Sequence, residues 1–194
     1  MNEMQTAFRD FLIRFQQAAV RETGHRPTLA LREGIDRELL LPGCPSAGYA
    51  FWQPMPWPKP PQLGKAARSF HADILDVLTF CRYQELSFTL PVSPRQGPLS
   101  CLYRRPFLTQ PNPLTRPPQQ TLKAAVERYE WRSHSDLPLY FPFAAADPLG
   151  ESFVLCLDAD NGKCYLHCPN REDAYWALGI SLGELLRRSK PCFS

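Results

Sequence analysis

Cys156, Cys164, His167 and Cys168 are three thiols and an imidazole close together in the chain, the ligand types of a structural zinc site. Between them stands Asn161-Gly162, a strong hairpin signal, because a type I′ turn needs positive φ at both central positions. Placing this pair at the turn sets Leu157 opposite Leu166 and Leu155 opposite Cys168, with Phe153 and Cys164 on the same, core-facing side. Cys156 then faces His167, and Asp158 faces Tyr165, on the other side. Four ligands on opposite faces of a sheet cannot converge on one tetrahedral centre. The expectation is core thiols with a surface histidine, and no cofactor or metal.

Other patterns that could carry chemistry are weaker still. Asp158-Ala159-Asp160-Asn161-Gly162 superficially resembles a calcium loop, but its glycine is fifth rather than sixth and Pro169 stands where a bidentate glutamate belongs. There is no Gly-x-Ser-x-Gly, no phosphate-cradling glycine loop and no His-Glu-x-x-His. His25, His71, His134 and His167 have no spacing that assembles a site, and His71 reads as a boundary residue of a helix. A cysteine–histidine nucleophile would need partners distant in sequence, and no feature selects a pair. Pro58-Lys59-Pro60-Pro61 and Pro91-Val92-Ser93-Pro94 match the minimal Pro-x-x-P ligand pattern, which a proline-rich chain produces by chance. Trp52 and Trp57 are candidates for interface anchors. The alternative is that they cover a small core from an extended segment.

The elements that must position these residues are short. Proline occupies 21 of 194 positions, roughly twice the usual 5%, and interior prolines forbid long helices. Apolar residues make up 44% and charged residues 21%, so a core is available and the length suits one domain or one with an appendage. A net charge of +3 is too small to suggest nucleic acid. Its distribution is uneven: Arg95 to Arg132 is basic, whereas His134 to Asp173 is acidic through Asp136, Asp147, Glu151, Asp158, Asp160, Glu172 and Asp173. Such asymmetry can steer a charged protein partner or cancel between neighbouring surfaces. No apolar run is long enough to span a bilayer, and Met1–Gln16 is interrupted by charges. A cytosolic protein with reduced cysteines is expected, in keeping with their odd count of 7.

Met4, Phe8, Phe11, Leu12 and Phe15 recur at helical spacing and predict an amphipathic helix ending near Gly24. Tyr49–Pro58 carries alternate prolines and must run extended. A second helix has Ala67, Phe70, Ile74, Val77, Leu78 and Cys81 inside, with Arg68, Asp73, Asp76 and Arg82 outside. Leu86–Val92 and Leu99–Tyr103 read as strands and Pro106–Pro118 as loop. A third helix runs from Gln119 to about Trp131, followed by a strand over Leu137–Ala144 and the Phe153–Leu157/Cys164–Cys168 hairpin. The last helix starts at Ser181, with Glu184 placed to complete a capping box, and ends before Pro191.

This order, together with particular segments, resembles the Syd family of SecY-interacting proteins within the SUKH superfamily. The matching pieces are Ala7-Phe8-Arg9-Asp10-Phe11, the aromatic-Trp-Gln-Pro segment Phe51-Trp52-Gln53-Pro54-Met55-Pro56-Trp57 and the Ala67–Phe80 helix. Leu137-Pro138 at a strand opening, the hairpin and Ser181-Leu182-Gly183-Glu184-Leu185-Leu186 complete the set. The likeness covers nearly the whole chain and is loose between about Ser93 and Gln119. The resemblance implies an α+β fold in one domain spanning residues 1–194, a mixed or antiparallel sheet with helices around it, with 42–61 and 91–118 as internal extended regions.

It also implies a non-enzymatic protein that binds the cytoplasmic loops of SecY at the cytosolic face of the inner membrane, through an acidic concave surface. Complementary charge would steer that peripheral association. Syd proteins are generally acidic, whereas this chain carries +3, so the acidic block supplies the regional candidates. The expected partner-binding residues are Asp158, Asp160, Glu172 and Asp173, with Trp52 and Trp57 as anchors. Many SUKH members resemble immunity proteins that neutralise a toxin domain by occluding it, and toxin immunity is the alternative function.

Overall fold

The computed structural model describes residues 1–91, 100–102, 104–130, 139–146, 151–169 and 174–193, with only the backbone of 100, 128–130 and 174. Helix α1 spans Glu3–Thr23. Asn2 caps it by accepting from Gln5 N at 2.9 Å, while the Gln5 side chain accepts from Asn2 N at 3.3 Å. This reciprocal box satisfies two orphan donors of the first turn. The helix stops at Gly24, which takes the left-handed φ of 77° that glycine adopts without steric cost. Its apolar stripe, Met4, Phe8, Phe11, Leu12 and Phe15, is buried as the spacing predicted.

Three short strands follow: β1 (Thr28–Ala30), β2 (Leu40–Leu41) and β3 (Tyr49–Trp52). They form a small antiparallel sheet in the order β1-β3-β2. The predicted second helix divides in two, a 3₁₀ stretch over Lys65–Ser69 and helix α2 over Ala72–Phe80. His71 accepts from Asp73 N at 3.3 Å and is the N-cap of α2.

The larger sheet contains β4 (Ser87–Thr89), β5 (Pro106–Thr109), β6 (Tyr140–Ala146), β7 (Phe153–Asp158), β8 (Lys163–Cys168), β9 (Ala174–Ser181) and β10 (Lys190–Pro191). Its order is β10-β4-β5-β6-β7-β8-β9, antiparallel throughout. Helix α3 (Pro118–Glu130) precedes β6, and α4 (Leu182–Arg188) follows β9 directly. The fold class is therefore α+β in a single domain, with four helices, an antiparallel seven-stranded sheet and a small sheet among the described residues.

Two local expectations are corrected. Ser100–Leu102 is a 3₁₀ turn, whereas a strand was expected over Leu99–Tyr103; Leu99 and Tyr103 themselves lie outside the described residues. The expected loop at Pro106 begins with strand β5, because proline at a strand's first residue gives up no interior donor. Pro142, inside β6, sits where the pairing to β7 shifts register, a bulge that accommodates its missing N–H.

One core holds the layers together. Phe11 meets Phe88 edge-on at 5.8 Å, Phe88 contacts Phe107 and Phe143, and Phe8 packs against Phe80 and Tyr83. Helix α1 also locks α4: Arg14 donates to the carbonyls of Leu186 and Ser189, and Arg187 pairs with Glu3 at 2.9 Å. A guanidinium at a helix C-terminus satisfies orphan carbonyls and opposes the helix dipole.

Arg82, expected outside α2, is instead one of the most buried side chains. Its Nη1 donates to Asp36 at 2.9 Å and Glu38 at 2.8 Å. Asp36 also accepts from the backbone of Glu38 and Leu114. The guanidinium enters the protein because two carboxylates meet it there, and it fastens three chain segments that are distant in sequence.

Candidate protein-interaction site

The hairpin was expected to pair Leu157 with Leu166; the observed partner is Cys164, and Leu155 pairs with Leu166. The connection between Asp158 and Lys163 has four residues, two more than a type I′ turn, and of Asn161 and Gly162 the glycine alone takes a positive φ. Gly162 N donates to Asp158 O at 2.9 Å, and Ala159 is tucked in the core. Because strand side chains alternate with period two, this offset leaves every residue on its expected face. Phe153, Leu155, Leu157, Cys164, Leu166 and Cys168 are buried on one side. Burial pushes the Cys164 thiol up to about 12, with Asp73 and Glu184 adding to the effect, so it is a packing group and not a nucleophile.

The opposite face is not the surface that was expected for His167. The imidazole is buried and stacks on Tyr175 at 4.3 Å with planes 5° apart. Tyr175 stacks on Tyr140 at 4.6 Å, and Tyr140 meets Tyr165 at 5.3 Å. Burial first, then the Tyr165 phenol and the Asp158 carboxylate, push the Tyr140 hydroxyl up to about 12. A row of rings across three strands supplies apolar area and ring contacts, which explains why His167 leaves water there. Among the described residues no group of three His, Cys, Asp or Glu side chains could hold a metal ion.

Of the expected partner-binding residues that are described, Asp158 and Trp52 are buried. Asp158 is only 5% exposed. Its carboxylate accepts from Asp160 N at 2.8 Å and Asn161 Nδ2 at 2.9 Å, so it organises the turn and is withdrawn from any partner. Asp160, at the turn's tip, is exposed. Glu172 and Asp173 lie outside the described residues. Trp52 is 1% exposed and packs on Phe15 at 5.9 Å, which makes it a core residue and removes it as an anchor. Trp57 is half-buried, with Nε1 donating to Leu78 O at 3.2 Å.

A groove that sequence reasoning missed lies between the small sheet and the β10–β4–β5 end of the large one. One side is β1 with Arg26 and Arg32; the other includes Gln84, Glu85, Ser87 and Leu108. Its volume is about 280 Å³, at the small end of ligand pockets. An Arg32–Glu85 ion pair bridges the two sides. Tyr49 and Leu108, on its lining, are about half exposed at 50% and 46%, and neighbouring Leu31 is 52% exposed. Gln84 is buried, yet its Nε2 has no hydrogen-bond partner among the described residues. The only sequence signal was the short Thr28-Leu29-Ala30-Leu31 alternation, too brief to separate from loop.

No protein-family model matches the chain, and no curated protein is significantly similar to it. Among the described residues no helix is long and apolar enough to cross a membrane.

Proposed function

We propose that the chain is a non-enzymatic, Syd-like binding protein that associates peripherally with SecY at the cytosolic face of the bacterial inner membrane. The observation that carries this reading is the convergence of three distant segments on which the resemblance rests. Phe8 and Phe11 lie in the buried stripe of α1, Trp52 packs against Phe15 of the same helix, and Arg14 caps the helix that Ser181 opens. Segments scattered through the chain that assemble into one packing unit support a likeness of fold rather than of composition. Asp160 and Trp57 remain as surface contacts for a basic partner loop, with Asp160 supplying charge that salt would screen.

The charge around the groove favours a second reading, toxin immunity. Arg26 is exposed and has no ion-pair partner among the described residues, and the exposed side chains nearby include the apolar Tyr49, Leu108 and Leu31. Such a surface suits an acidic or apolar partner better than a basic loop.

Co-sedimentation with membrane vesicles, with and without overproduced SecY, separates the two. The SecY reading expects binding that rises with SecY content, weakens with salt and falls in Asp160→Lys. Failure to bind SecY-rich vesicles at any salt overturns it. Tight binding to a toxin domain encoded beside this gene, with inhibition of that toxin, would favour immunity.

A further inference from the structure

Strand β1 is an open edge of the small sheet. In its ladder with β3, Trp52 N donates to Pro27 O at 3.0 Å and Leu31 N to Gly48 O at 2.8 Å, with Leu29 opposite Ala50 between them. Hydrogen-bonded and non-hydrogen-bonded pairs alternate along an antiparallel ladder, so the N–H and C=O groups of Thr28 and Ala30 point away from β3. No described residue pairs with them, and both residues line the groove. An edge this short and flanked by Arg26 and Arg32 is guarded against self-pairing but stays open to a complementary strand.

We infer that this groove receives an extended, acidic segment of a partner protein, which adds to β1 as a further strand. The Thr28 and Ala30 backbone groups supply the ladder. Gln84 Nε2, buried and unpartnered, donates to a carbonyl or carboxylate of the segment. A buried donor left without an acceptor is destabilising, and an incoming oxygen removes that cost. Arg26, the unpaired cation of the lining, meets an acidic side chain. Tyr49, Leu108 and Leu31 cover its apolar side chains. The inference rests on the reading that the chain binds a protein, but it does not depend on which protein.

The test uses the full chain and an acetylated, amidated hexapeptide of alternating valine and glutamate. A valine–lysine counterpart and a backbone N-methylated valine–glutamate version serve as controls. Calorimetry should detect the valine–glutamate peptide, with both controls weaker by about tenfold, the scale expected for losing one or two hydrogen bonds or the charge match. Amide exchange at Thr28 and Ala30 should slow when the first peptide is present, and exchange in α3 should not. Arg26→Glu and Gln84→Met should each weaken binding by about three- to tenfold with unchanged circular dichroism.

No binding of the valine–glutamate peptide up to millimolar concentration overturns the inference. So does binding that spares Thr28 and Ala30, or that the N-methyl groups leave intact. The peptide controls alter no residue of the protein, so misfolding cannot mimic either result. Measuring the unaltered chain on SecY-rich vesicles alongside the peptide keeps the two readings apart: peptide binding without vesicle binding removes SecY as partner and leaves the groove, and the converse removes the groove alone.

Discussion

A Cβ placed on Gly162 would stand 2.7 Å from Nδ1 of His71, the nitrogen that caps helix α2. The β7–β8 turn therefore seats directly on the N-terminus of a helix that is distant in sequence. Gly162 also has φ of 67°, the left-handed region that costs an L-residue about 1–2 kcal/mol. Gly162→Ala should lower stability by about 2–4 kcal/mol, the sum of that cost and the displaced cap. Urea unfolding checks the value. Adding His71→Ser, which keeps an oxygen cap but clears the space, should recover the cap part and leave the φ part. Equal losses with and without His71→Ser would mean that the contact is absent.

Those two residues also mark where sequence reading stops. Asn161-Gly162 identified a turn through its glycine, whose positive φ is a local requirement that Asn161 does not share, and helix α1 followed from apolar spacing over many residues. The offset of two in the hairpin was not legible, since it depends on Ala159 finding a core pocket and Asp158 folding inward. Face assignments survived because the offset is even. Arg82 was misplaced for a related reason: a charged side chain reads as exposed until Asp36 and Glu38, far back in the chain, are seen to meet it. Trp52 and Trp57 look alike in sequence, and only the packing against Phe15 separates core from surface. The groove left only the brief alternation at Thr28–Leu31, because an open edge is a property of the sheet and not of the strand's residues.

The division of labour between Asp158 and Asp160 gives a sharper contrast than burial alone. Asp158→Ala leaves Asp160 N and Asn161 Nδ2 without their acceptor and should cost about 1–3 kcal/mol. Asp160→Ala removes an exposed carboxylate and should stay within about 0.5 kcal/mol of the parent. Thermal unfolding of the two variants distinguishes them. An inert Asp158→Ala would return that carboxylate to the surface and to partner binding.

The carboxylates around Arg82 should likewise be unequal. Arg82→Ala strands the buried Asp36 charge, and breaking such a pair costs about 3–5 kcal/mol. Glu38 is 60% exposed, so Glu38→Gln should cost less than about 1 kcal/mol. Asp36→Asn should fall between them, since the amide oxygen still accepts from Leu114 N at the same position. Denaturant midpoints across the three variants test the ranking, which fails if Glu38→Gln proves as damaging as Arg82→Ala.

Buried thiols give the fold an alkaline limit. Burial pushes Cys81 and Cys164 from their ordinary value of 9.0 up to about 12. Burial also raises the buried Tyr83 hydroxyl, with the neighbouring Cys81 adding to it. Below pH 9 both folded and unfolded chains keep these protons, and stability from this source is constant. Between about 9 and 12 the unfolded thiols ionise while the folded ones stay protonated. The native state then binds more protons, and stability falls by about 1.4 kcal/mol per pH unit for each thiol. Unfolding free energy should be flat in this respect up to pH 9 and decline steeply above it. Cys164→Ala lowers stability at neutral pH through lost packing, yet it should make the alkaline decline shallower by one thiol's share. That opposite effect on level and slope separates titration from packing, and a slope unchanged in Cys164→Ala would remove the thiol as its source.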